Sequence, residues 1–108
     1  MKNNLVVTEH AGPLAVIATA DLAETTKRAY SGAMERYLEA AGDPLDARAL
    51  EAYAQGLSNS SKAHLSAAIR LYTKAIRRRM DNTANPNAEN AQEIEARMGQ
   101  AERKLRAV

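Results

Sequence analysis

The chain has 108 residues, a formal net charge of +2 and no cysteine. That is room for one domain with at most a tail, and it excludes a disulfide framework, a thiol nucleophile and a thiolate metal site. With neither Trp nor Phe, a modest core falls to Ala, Leu and four Tyr (Tyr30, Tyr37, Tyr53 and Tyr72), and the Ala-rich, Glu-, Lys- and Arg-rich composition predicts an all-α fold.

Residues 1–20 contain Gly12 and Pro13 and lack a sustained helical period, so they read as an arm that is flexible at its start, with Leu14, Val16 and Ile17 available to dock on the core. The longest apolar stretch, Leu14 to Ala20, is far shorter than the roughly 20 residues that span a bilayer. Lys2 alone is a poor signal-peptide start. No membrane insertion or export is expected, and a cytoplasmic setting fits.

The first convincing helix opens near Asp21, where Asp21 and Glu24 have capping-box spacing, and closes at Gly42, ahead of Asp43 and Pro44. Tyr30, Ala33, Met34, Tyr37, Leu38 and Ala41 follow the i, i+3, i+4 pattern of a core-facing stripe, turning Lys27, Arg28, Ser31 and Glu35 elsewhere. A second, shorter helix fits Asp46 to Gly56, with Asp46 as its cap and Leu50, Tyr53, Ala54 and Leu57 inward. A third starts in the cluster Ser58, Asn59, Ser60, Ser61 and runs to about Arg79, burying Leu65, Ala68, Ile69, Tyr72 and Ile76. Asp81 to Asn87, rich in Asn and carrying Pro86, reads as a loop. From Ala88 to Val108 the residues Ala91, Ile94, Met98, Ala101, Leu105 and Val108 form a heptad-like seam. It is short for an autonomous coiled coil, so packing on the body of the domain competes with self-association through residues 91–108. The expected organisation is an arm (1–20), a helical domain (21–87) and a C-terminal helix or linker (88–108).

Charge is unevenly divided. Between Ser58 and Met80 there are six basic residues and no acid, against five basic and eight acidic residues up to Leu57, and localised positive charge is what phosphate binding requires. At about 100° per residue, Arg70, Lys74 and Arg77 fall within about 60° of one another, opposite the apolar stripe. Arg78 flanks them and Ser66 borders them. The plainer reading is a solvated face paired with Glu from other helices. At the start of the same helix, Ser60, Ser61, Lys62 and His64 sit where free amides favour a phosphate, with ordinary N-capping as the alternative. Thr25, Thr26, Lys27 and Arg28 repeat that arrangement in the first helix, and the two starts are expected to straddle a groove.

Catalytic readings find little support. His10 and His64 lie in different contexts and nothing completes a metal set. Glu35 with Glu39, and Glu93 with Glu95, read as solvated helix residues, and there is no Gly-rich phosphate loop or nucleophile elbow. No chemistry and no cofactor are expected of this chain alone.

The ordered pattern Thr25-Thr26-Lys27-Arg28-Ala29-Tyr30, Tyr37-Leu38, Gly42, Tyr53 to Leu57, Ser60-Ser61, Leu65-Ser66-Ala67-Ala68-Ile69-Arg70, Tyr72 and Asn85-Pro86 resembles the core-binding domain of phage integrases and other tyrosine recombinases. The likeness covers roughly residues 21–86, through individually weak motifs in a fairly specific order. It implies a SAM-like four-helix bundle, with an additional C-terminal helix or linker, that closes one side of a clamp over double-stranded DNA at a core recombination site. The first and third helices would lie against the duplex. Carried over by position, Thr26 and Tyr30 match the family's first motif, Ser60 and Ser61 its second opening, and Arg70 the Arg of its third helix, with Tyr30 and Tyr72 expected to pack. Ala23 stands where the family has a capping Ser, and the stretch from Ser60 to Leu65 is about one residue short. The family's catalytic Arg, Lys, His-x-x-Arg and Tyr have no counterpart, so the resemblance implies a separate catalytic domain as partner. The candidate DNA-contacting set is Thr26, Lys27, Arg28, Ser60, Ser61, Lys62, His64, Arg70, Lys74, Arg77 and Arg78, with phosphate contacts dominating over base reading.

Overall fold

A computed structural model of the chain describes residues 12–81 and 88–108. The described residues form five α-helices and no strand: α1 (Pro13–Ala18), α2 (Glu24–Ala41), α3 (Ala47–Gln55), α4 (Asn59–Asp81) and α5 (Ala88–Ala107). The start of the arm, with His10, and most of the Asn-rich stretch expected as a loop lie outside the described residues. No described helix is long and apolar enough to cross a membrane.

Part of the expected arm belongs to the core. Pro13 stands in the first turn of α1, where a missing amide proton costs nothing, and Ile17 is fully buried while Leu14 stays exposed. A buried Ile contributes about 1.5–3 kcal/mol of transfer free energy, enough to hold one short helix against α2 and α4. This docking moves the next helix start. The chain bends through Ala20 to Leu22, with the Leu22 amide donating to the Ala20 carbonyl at 3.0 Å. α2 therefore begins at Glu24 behind an extended Ala23 with no side-chain cap, and the Asp21–Glu24 capping box does not form.

The other boundaries follow local chemistry. α2 ends at Gly42, whose φ of 86° is left-handed, a conformation in which a Cβ is strained. Asp43 Oδ1 then accepts the Leu45 amide at 2.9 Å, the buried Tyr37 hydroxyl donates to the Asp43 carbonyl at 2.8 Å, and Asp46 caps α3 through the Ala49 amide at 3.1 Å. Burial, joined by the charges of Asp46 and Asp43, pushes the Tyr37 phenol up to about 12. Ser58 caps α4, its Oγ accepting the Ser61 amide at 3.2 Å. α4 reaches Asp81, two residues past the Arg79 expected.

The core joins Ile17, Met34, Tyr37, Leu50, Leu65 and Ile69 with Ala101 and Leu105 of α5. The C-terminal seam thus contributes to the core. Met98, Ala101 and Leu105 are buried against α3 and α4, while Ala91, Ile94 and Val108 stay half-buried. Two ion pairs reinforce that docking, Arg97 to Asp43 at 2.9 Å and Lys104 to Glu51 at 3.5 Å.

Tyr30 of α2 meets His64 of α4, ring centroids 6.0 Å apart, while Leu22, just before α2, shares a cleft with Leu71 and Ala75 far along α4. The two helices therefore run antiparallel. Measured from the Tyr30–His64 contact, Thr26 lies one turn toward one end of the pair and Ser61 about a turn toward the other. They are separated by about 10 Å along the axis.

Candidate functional site

α4 has one outward face, and it is cationic. Arg70, Lys74 and Arg78 recur every fourth residue and are all exposed, forming a stripe about 12 Å long. Among the described residues none of the three has an ion-pair partner, whereas Arg77 has two. The exposed residues Ser60 and Ala63 continue the same face toward the helix start, and no acidic residue interrupts α4 before its last position, Asp81.

Arg77, expected among the phosphate contacts, leaves the stripe and turns toward two carboxylates of α5. Its Nη2 lies 2.9 Å from Glu95 Oε2 and its Nη1 3.0 Å from Glu102 Oε2, with Nε donating to Glu95 as well. Thr73, which is fully buried, gives its single proton to Glu102 Oε2 at 2.6 Å, the shorter of two acceptors in reach. The physical reason is one of position. Arg77 sits at the edge of the outward face nearest α5, and two carboxylates about two helical turns apart on α5, Glu95 and Glu102, form a fork that satisfies its planar donors. The hydrogen bonds to Glu102 and Glu95 raise its pKa, and its charge is neutralised twice over. For Glu102, burial pushes the carboxyl up, but the bonds from Arg77 and Thr73 outweigh it and hold it below the usual value. Sequence reading missed Thr73 because the search for a buried stripe counted apolar residues only. Its position next to Ile69 and Ile76 on the inner side of α4 was the available signal.

The remaining candidates divide by location. Antiparallel packing brings the start of α2 level with Ala68 to Arg70, so the exposed Arg28 and the half-buried Thr26 and Lys27 lie near the upper end of the stripe. Exposed Glu24 opposes them at the same level. At the start of α4, Ser60 is exposed, but Ser61 is occupied locally: its amide and hydroxyl both bond to Ser58, the two hydroxyls 3.1 Å apart. Lys62 and His64 are half-buried on the flanks of the helix, His64 against Tyr30. The structure thus aligns Arg70, Lys74 and Arg78 on one face of α4 with the start of α2 level with Arg70, and sets Ser61, Lys62, His64 and Arg77 off that row.

Beside the stripe, between α1 and α4, runs a cleft of ≈ 770 Å³ to which Lys74 and Arg78 contribute. Among the described residues no group of three His, Asp or Glu is arranged to hold a metal ion. Comparison of the chain with protein-family models, with curated proteins and with solved structures returned no match.

Proposed function

We propose that the chain is a non-catalytic DNA-binding domain that grips duplex DNA through the outward face of α4 and the adjoining start of α2. The reading extends to the core-binding half of a site-specific recombinase of the tyrosine family, working in the cytoplasm with a separate catalytic domain that supplies the chemistry. One observation carries it: Arg70, Lys74 and Arg78 stand in a row without carboxylate partners among the described residues, although neighbouring Arg77 is paired twice. A cation without a carboxylate partner presents its full charge to an external anion. Three such cations over about 12 Å span a length over which one B-form strand carries about three to four phosphates, one per about 3.4 Å of axis. The order of motifs shared with phage integrases supports the choice of duplex DNA over other polyanions.

Contacts of this type are to phosphate and position the protein more than they read sequence. Packing of Met98, Ala101 and Leu105 within the fold supports this reading over that of an oligomerisation module using the seam at 91–108. An amide chemical-shift titration with a duplex tests the proposal. Changes are expected along Arg70, Lys74, Arg78 and Arg28, with Glu95 to Val108 unmoved. Changes confined to α5, or none at salt low enough to favour charge pairing, would sink it.

A further inference from the structure

We propose that the cleft between α1 and α4 receives a short acidic amphipathic helix from a partner protein. Its volume, ≈ 770 Å³, lies within the range of about 300–1,000 Å³ typical of ligand sites. The lining is apolar at Ala15, Val16, Leu22, Leu71 and Ala75. Leu71, Ala75 and Arg78 succeed one another along α4 over about 10 Å, two helical turns, the footprint of a helix that anchors through apolar residues at i, i+4 and i+7. Ala15 and Ala75 present only methyl groups, so the backbone of an incoming helix can approach closely.

Charge selects the occupant. Lys74 and Arg78 stand on the α4 wall, exposed and without ion-pair partners among the described residues, and Asp21 is the acid lining the cleft. An apolar trough edged by cations favours an apolar ridge flanked by carboxylates and disfavours a basic one. Duplex DNA presents no apolar ridge and uses Lys74 and Arg78 through phosphate alone. The acidic helix and the duplex therefore compete for the same two cations, which makes the cleft a point of regulation. That consequence rests on the proposed function; occupation of the cleft does not.

The test uses the full chain and a synthetic probe: an acetylated, amidated peptide with leucines at i, i+4 and i+7 and flanking glutamates. Amide shifts are expected at Ala15, Val16, Leu71 and Ala75. Affinity should fall about tenfold with Lys74→Glu plus Arg78→Glu, both at exposed positions, and again with Ala75→Glu, which fills the trough. A peptide with lysines in place of the glutamates should not bind. Silence at those four residues, or equal binding of the lysine peptide, overturns the proposal. So do shifts at the same residues on dilution without peptide, which would mean that a second copy occupies the cleft. In a separate arm the acidic peptide should displace a fluorescent duplex. A duplex that never binds overturns the proposed function, and the peptide titration still decides the cleft.

Discussion

Replacing Arg70 and Lys74 together by Ala removes two of the three unpaired cations of the α4 stripe while touching none of the buried contacts. Each phosphate neutralised contributes about −0.9 to the slope of log affinity against log salt. The stripe should therefore contribute about −2.7 in the parent and about −0.9 in the double variant. Between 50 and 200 mM salt that contribution amounts to a loss of about 40-fold for the parent and about 3- to 4-fold for the variant. Fluorescence anisotropy with a labelled duplex at four or more salt concentrations measures both slopes. Arg77→Ala is the internal control. It removes a cation from the same helix turn but one already neutralised by Glu95 and Glu102, so the slope should stay at the parent value. A double variant with an unchanged slope, or an Arg77→Ala variant whose slope drops by about one, would refute the assignment of phosphate contacts to the outward face.

Arg77→Ala should instead cost stability, about 1–2 kcal/mol for the bonds lost by the partly buried Glu102, with little from the exposed and screened Glu95 contact. This would appear as a fall of about 5–10 °C in thermal midpoint. The same network predicts a pH dependence. Because the folded-state pKa of Glu102 is lowered, its stabilisation is complete above the unfolded value of about 4.3 and drains away as pH falls through the folded one. Denaturant midpoints measured from neutral pH downward should drop below about pH 4, and less steeply in Arg77→Ala. Ile17→Ala should destabilise by about 2–5 kcal/mol and shift the amides of Leu71 and Ala75 as α1 loosens. A change of under 0.5 kcal/mol by urea titration would mean that α1 is not anchored by its burial. Gly42→Ala, which forces a Cβ onto a φ of 86°, should cost about 1–2 kcal/mol in the same assay.

The structure also separates two uses of arginine within one turn of helix. Arg77 and Arg78 are adjacent in sequence, yet a rotation of about 100° turns the first toward two carboxylates of α5 and the second toward solvent. The paired residue ties α4 to α5, whereas Arg78 is exposed and has no ion-pair partner among the described residues. A count of basic residues in this segment overstates the number free to act.

Much of the fold was legible in the chain itself, because it depends on interactions within a few residues. Composition and three- to four-residue periodicity predicted an all-helical domain, and Gly42, Asp46 and Ser58 mark boundaries through local backbone and capping chemistry. The row Arg70, Lys74, Arg78 is likewise a matter of spacing on one helix. What required tertiary structure was every question of which distant partner meets which face. Ile17 is buried only because α2 and α4 offer it a site, and that docking cancels the cap foreseen at Asp21. The C-terminal seam could have met a second copy or the body of its own chain, and only the tertiary structure shows Met98, Ala101 and Leu105 buried in the body. Arg77 could not be told from Arg78 by sequence, since the acids that claim it lie 18 and 25 residues away and reach it only when α5 folds back along α4.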